Sequence, residues 1–423
     1  MAIPQPPAPL PPPERAPRRA AAGSRRRAAA PVLATIGALA VAAAMMTAAA
    51  PAARAGLAAP AQSTAAGAGY WHTSGNQILD ADGNPVRIAG INWYGFETPD
   101  EIAHGLWAQD YHTIINDIAA LGYNTIRIPF SNQMVEDPIV PQNLAFNNNS
   151  GPINTDLEGL NALQDLQKTV AAAGQAGLKV ILDNHRSEAG ESAEQDGLWY
   201  TSTYTSQDWV NDWVTLAKMF ANDPTVAGFD LRNEPHTPTG DSYSQGATWG
   251  TGDPSTDVRL AYEQAGNAIL AADPGALIFC EGISEYPDSS APGGYDTTWW
   301  GGDLQGVAQY PAELNSPGHV VYSAHDYGPD LYQQAWFNSS TTPASLDGVW
   351  NQFWSGQRQP AAPATGVVLG GVFAGQHLVR RVPGAGHADQ HRRGHDELVD
   401  AVLDVPRRSA DHQPVEWHVQ PVR

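Results

Sequence analysis

Several residues able to move protons or hold charge stand at the ends of short apolar runs in this sequence. Asn233, Glu234, Pro235 and His236 follow the run 226–231, and Asp183, Asn184 and His185 close the run 178–184. His325, Asp326 and Tyr327 follow 320–324, and Arg127 lies inside Thr125-Ile126-Arg127-Ile128-Pro129. A carboxyl such as Glu234 can deliver or accept a proton, as can an imidazole. A guanidinium can hold a carboxylate in its planar fork. Each has an ordinary reading when taken singly: a lone strand-end histidine is more often structural than catalytic, and a lone arginine is usually an ion-pair partner. Their joint recurrence at successive strand ends points to a site of proton transfer.

The elements that must position them alternate. Strands are predicted over 87–94, 124–129, 178–184, 226–231, 277–282, 320–324 and 366–370, with helices over 111–121, 157–176, 208–221, 257–272 and 346–354. Strands that are continuous apolar runs, alternating with helices, imply a parallel sheet covered on both faces. Seven of them suit a (β/α)8 TIM barrel, in which the C-terminal strand ends converge on one face. A doubly wound sheet is the alternative, but no Gly-rich phosphate loop follows the first strand, where a dinucleotide fold needs one.

The run Leu231-Arg232-Asn233-Glu234-Pro235-His236 resembles the Asn-Glu-Pro signature of glycoside hydrolase family 5. Gly90-Ile91-Asn92-Trp93-Tyr94-Gly95 is similar to the family's first strand, and the resemblance recurs in order at five strand ends from about residue 69 to about 370. It implies a retaining two-carboxylate hydrolysis of internal β-1,4-glucosidic bonds in cellulose or related glucans, with no cofactor and no metal. Glu234 would be the general acid/base, kept protonated at rest by a raised pKa. Asn233 would hold the sugar 2-hydroxyl, Arg127 would support the nucleophile, and His185 would match the third-strand histidine. His325 and Tyr327 would match the sixth-strand pair, with the Tyr327 hydroxyl orienting the nucleophile. A mannanase or xyloglucanase of the same family, or a non-catalytic glucan-binding protein, is the alternative. Sugar rings stack on indoles, which makes Trp93, Trp107, Trp299 and Trp300 candidate substrate-binding residues; the last two lie in a Gly/Pro-rich stretch expected to be a long loop beside the cleft.

The remainder of the chain fits export. Arginines before an Ala-rich apolar segment, then Ala53-Arg54-Ala55, read as a signal peptide over 1–55, cleaved rather than retained as an anchor. Residues 56–68 read as a flexible spacer, and 69–370 as the barrel domain. The net charge of −21 argues against a nucleic-acid partner, and the single Cys280, inside an apolar run, is expected to be a buried thiol. A secreted monomer acting on β-glucan is the expectation.

One departure is decisive for activity. The family places a second Glu, the nucleophile, after the seventh strand; here the sequence reads Leu369-Gly370-Gly371-Val372. Composition also breaks here: residues 364–423 hold seven of the 23 basic residues and six of the 13 histidines, with no Lys or Tyr. The residues between the leader and this tail hold only nine basic residues against 36 acidic ones. The histidines 387, 391 and 395 are spaced as metal ligands on a helix would be, but the glycines among them weaken any helix. A barrel incomplete at strands seven and eight, followed by an atypical tail at 371–423 read out of frame, is the expectation. Gly371-Val372 encoded GGA GTN and read one base later begins GAG, a Glu codon. Resequencing codons 366 to 371 checks this: a shifted frame is expected, and an intact frame confirmed in the expressed protein would sink it.

Overall fold

The computed structural model describes residues 66–354, apart from Ala193 and Asp330, and the backbone of a strand at Val367–Gly370. The leader at 1–55, most of the spacer and the tail at 371–423 lie outside the described residues. Within them no helix is long and apolar enough to cross a membrane.

Seven parallel strands form one sheet: β1 (Gly90–Asn92), β2 (Thr125–Ser131), β3 (Lys179–Arg186), β4 (Val226–Asp230), β5 (Leu277–Glu281), β6 (Val320–Ala324) and β7 (Val367–Gly370). Their spatial order is their chain order, and each neighbouring pair is parallel. Sequential parallel strands joined by helical crossovers build the wall of a β/α barrel. Strand β7 is present, registered from Val321↔Val367 to Ala324↔Gly370, so among the described residues the wall is open only between β7 and β1.

The two faces of the wall divide as strand periodicity requires. On β5, Ile278 and Cys280 face the main core shared with the helices, and Leu277 and Phe279 face inward. The inner cluster also holds Ile181, Ala227 and Val321, and the N-terminal antiparallel strands His72–Ser74 and Gln77–Leu79 add Trp71 and Ile78 to it. Trp71 donates its indole N–H to the Ala66 carbonyl, and Ala68 N–H donates to Asp80. Residues 66–68, expected in the spacer, are therefore part of the folded body. Cys280 is buried, as its apolar run predicted.

The helices are α1 (Tyr111–Ala120), α2 (Ala162–Gln175), α3 (Ser206–Met219), α4 (Val258–Ala272) and α5 (Pro343–Phe353). Two starts differ from the periodicity by several residues, because side-chain caps override it. Asn161 and Gln164 form a capping box that begins α2 five residues late, and Thr342 with Ser345 starts α5 early with Pro343 in its first turn.

One buried carboxylate carries a measurable consequence. Asp165 on α2 is fully buried, and neither of its side-chain oxygens has a hydrogen-bond partner among the described residues. Burial, helped by the nearby Asp156 charge, pushes its pKa up to about 7. The folded chain therefore holds a proton that the unfolded chain releases near the ordinary carboxyl value. Stability from this group is complete below about pH 4 and falls as pH rises to 7. Asp165→Asn is expected to flatten that fall and to stabilise the protein at pH 8 by on the order of 1 kcal/mol, read by thermal denaturation at pH 5 and pH 8.

Candidate active site

The polar residues sit where the inward-facing positions reach the C-terminal ends of the strands. At their centre is Arg127 on β2, 1% exposed, so its guanidinium has no recourse to bulk water. Its Nη2 lies 3.0 Å from Asp183 on β3 and 3.0 Å from Glu281 on β5, and its Nε donates to Asp230 on β4 at 2.8 Å. Burial alone would lower the arginine's pKa, but the three surrounding carboxylates raise it, so it is a permanent cation. Three carboxylates within ligand distance of one another have the donor chemistry of a metal site, but the guanidinium already lies among them as their counter-ion.

Arg127 reaches one step further, donating to Asn233 Oδ1 at 3.1 Å. The Asn233 backbone N–H donates to the Asn184 carbonyl, so this residue is pinned at both ends. Beneath it, Asn184 Oδ1 accepts from Trp209 and Arg232, and its amide donates to Asn132, which donates to Asp212 on α3.

Glu234 follows in a left-handed backbone conformation, φ +50°, which a non-glycine residue adopts only when its surroundings impose it. Its backbone N–H donates to Glu281 Oε2 at 2.7 Å. Its carboxylate Oε1 lies 2.8 Å from His325 Nδ1 and accepts a short bond from the Tyr327 hydroxyl. The other ring nitrogen of His325 is 2.9 Å from Glu281 Oε1, out of line for a hydrogen bond and so an ion pair. Burial would lower the His325 pKa; the Glu281 charge and the contacts with Glu234 instead raise it to about 10. Burial would raise Glu234; the bond and charge of His325, then the Tyr327 bond, pull it down to about 2. The acid role expected for Glu234 needs a neutral carboxyl; these contacts favour the ionised form. Tyr327, expected to orient a second carboxylate, turns to Glu234.

His185 stands at the end of β3 with Nδ1 2.7 Å from Asp183 and its side chain about a quarter exposed. Burial opposes charge on this ring, but Asp183 outweighs it and raises the pKa. Glu97, beyond β1, is nearly buried, accepts the Gly95 N–H at 2.6 Å, and is raised by burial.

The aromatic candidates separate by exposure. Trp93 is 5% exposed and donates to the His104 carbonyl, and Trp299 is 5% exposed among Tyr327, Trp336 and Phe337. Both belong to the hydrophobic core cluster, unlike the more exposed Trp107 and Trp300. Trp107 is 40% exposed and meets His104 edge-on, and His104 stacks on Tyr94. Trp300 is part-buried and stacked flat on His236 at 3.6 Å. The long loop that carries Trp299 and Trp300 includes an antiparallel pair, Glu285–Pro287 with Tyr295–Thr297.

Sequence reasoning passed over Glu281 and Gly301. Glu281 had a signal: a lone charge ending the apolar run 277–280 in the inward phase. Gly301 had none, since its role comes from contacts distant in sequence. It has φ +69°, its carbonyl accepts from Gly282 and His325, and its N–H donates to Pro235. A Cβ here would fall 2.6 Å from Glu281 Oε2 and 3.2 Å from Glu234 Cα.

A parallel β/α barrel with carboxylates, imidazoles and a hydroxyl converging at its strand ends defines a glycosidase-like hydrolase site. The comparisons narrow the class. Residues 79–364 match the model of the cellulase family, glycosyl hydrolase family 5, and the chain belongs to it. It is 43% identical over 311 residues to an endoglucanase of Paenibacillus polymyxa, covering 73% of this chain and 72% of that one. It is 36% identical to the major extracellular endoglucanase of Xanthomonas campestris pv. campestris, covering 75% of this chain but only 61% of that protein. Among solved structures it resembles an endocellulase of Pyrococcus horikoshii in complex with cellotetraose, at 37% identity and TM-score 0.61, covering 71% of this chain and 80% of that one. The catalytic domain of the Xanthomonas enzyme gives TM-score 0.60 at 37% identity, with the same coverages. The fold is the (β/α)8 barrel, and the protein is a glycoside hydrolase by family.

Gly301→Ala tests how tightly the site is built. The left-handed backbone and the close carboxylate are expected to cost about 1–3 kcal/mol, read as a lowered melting temperature. An unchanged melting temperature would show that the loop yields freely.

Proposed function

We propose that this protein descends from, and retains most of the site of, a secreted, endo-acting β-1,4-glucanase that hydrolyses cellulose or related glucans with retention. Glu234 is the acid/base carboxylate, and Asn233 places its amide at the sugar 2-hydroxyl. Arg127, His185, His325 and Tyr327 set the charge around them. Trp107 and Trp300 offer the ring faces on which glucose units stack. The observation that carries this reading is Glu234 at the end of β4, held by His325 and Tyr327 above the buried Arg127 cluster. The relatives' names favour glucan over mannan or xyloglucan. A relative named extracellular supports export by the 1–55 leader; the exported protein is read as a monomer.

Retention needs a nucleophile about 5 Å from the acid. The family's position for it follows β7, where the sequence reads Gly370-Gly371. Of the carboxylates near Glu234, Glu281 is fully buried and committed to Arg127, His325 and the Glu234 N–H. The chain as written is therefore a glucan-binding half of the machine with little or no turnover of natural glucan. The contacts of Glu234 favour this second reading too: the bond and charge of His325, then the Tyr327 bond, hold its carboxyl low, whereas the acid step needs it protonated.

An external anion can stand in for a missing nucleophile. With 2,4-dinitrophenyl β-cellobioside, whose leaving group needs no proton, azide is expected to attack the anomeric carbon and give α-cellobiosyl azide with release of dinitrophenolate. Robust hydrolysis of cellulose without azide would refute the missing nucleophile. Azide that yields no such product would remove the retaining site. In a chain whose frame is shifted to give Glu after Gly370, hydrolysis of a soluble cellulose should appear, and Glu234→Gln there should lower it about 10²–10⁴-fold. Intact hydrolysis in that variant would overturn the Glu234 assignment.

A further inference from the structure

We propose that Glu281 is a positioning residue of this site: from the end of β5 it fixes the Glu234 backbone and clamps the His325 imidazole against the Glu234 carboxylate. The inference deepens the reading of Glu234 as the acid/base.

The argument begins with strand phase. Leu277 and Phe279 face the barrel interior, so Glu281, two residues on, must do so as well. A buried carboxylate at such a place has to be fully paired, and both oxygens of Glu281 are. Oε2 accepts the Glu234 N–H at 2.7 Å. Oε1 accepts from Arg127 at 3.0 Å and lies 2.9 Å from His325 Nε2. The partners come from β2, from the turn after β4 and from the end of β6, so one carboxylate joins three segments distant in sequence.

Two observations show that the arrangement is built. Glu234 has φ +50°, a conformation that persists only where contacts impose it; the N–H that Glu281 holds belongs to that residue. Gly301 leaves room for Glu281 Oε2, since a Cβ there would fall 2.6 Å from it. Glu281 thus acts on the reacting carboxylate without exposure to a ligand: it is fully buried, which also excludes it as a nucleophile.

The charge around His325 is set by groups from several elements. Glu234 and Asp230 face it from the β4 end, Glu281 from β5 and the Tyr327 hydroxyl from its own loop, and Arg127 on β2 shares Glu281. With carboxylates at both ring nitrogens, the imidazole is held as a cation aimed at Glu234. Glu281→Gln keeps the volume and the acceptor for Glu234 N–H but removes one of the two charges.

The test is a pH titration of the full chain labelled with ¹⁵N-histidine, the His325 signal being assigned by its loss in His325→Asn. Wild-type His325 is expected to stay protonated beyond pH 8, and Glu281→Gln to lower its midpoint by about 1–3 pH units. A residue that only fills space would leave the midpoint unmoved. Glu234→Gln, which leaves Glu281 as the remaining carboxylate on the ring, isolates the same contribution should Glu281→Gln not fold. There, a His325 midpoint still above the ordinary histidine value supports the proposal, and an ordinary value overturns it. Wild-type His325 titrating near pH 6.5, or a midpoint unmoved in folded Glu281→Gln, also overturns it. No turnover enters this readout, so failure of the azide experiment would remove the glucanase reading and leave the Glu281 result standing.

Discussion

A single buried cation organises this site. Removing Arg127 from water is costly, and so is removing the three carboxylates it meets; such clusters persist only where geometry satisfies every partner. Asp183, Asp230 and Glu281 approach the guanidinium from β3, β4 and β5, which the barrel's parallel order brings side by side. The planar fork lets one residue bind along two edges, which an ammonium could not reproduce. One positive charge among three acids leaves an excess of negative potential: burial, opposed by Arg127, raises Asp230 well above its ordinary value, and His325 close by is held protonated. The charge state of the outer site follows from the composition of the inner one.

Glu234 stands at the junction of the two. Its backbone is tied inward through Glu281 and its carboxylate outward to His325 and Tyr327. His325 and Tyr327 both converge on this one carboxylate and hold its pKa low. Of the two more exposed tryptophans, Trp107 meets His104 edge-on and Trp300 stacks on His236, which itself contacts the Glu234 carbonyl.

Much of the fold was legible beforehand because buried parallel strands are continuous apolar runs. All seven runs became strands of one sheet in chain order, including Val367–Gly370. Boundaries moved where a side chain competed with periodicity, as at the Asn161–Gln164 and Thr342–Ser345 caps. The N-terminal strands that add Trp71 and Ile78 to the inner cluster were not read, since pieces of two and three residues carry too little pattern. For the aromatics the sequence left burial open, because a tryptophan near Gly has the same kind of local sequence whether it is exposed, like Trp107, or packed in the core, like Trp299.

The sequence by itself determined the barrel, the family and which residue types stand at each strand end, because these follow from local periodicity and a contiguous motif. It also determined that the position after β7 carries glycine rather than a carboxylate. Only the tertiary structure decided who partners whom: that Arg127 holds three acids, that Glu281 ties Glu234 to His325, and that Gly301 must lack a side chain. Those assignments rest on contacts between residues as many as 154 positions apart. Protonation followed from them, since a carboxyl's charge depends on neighbours in space that no stretch of sequence contains.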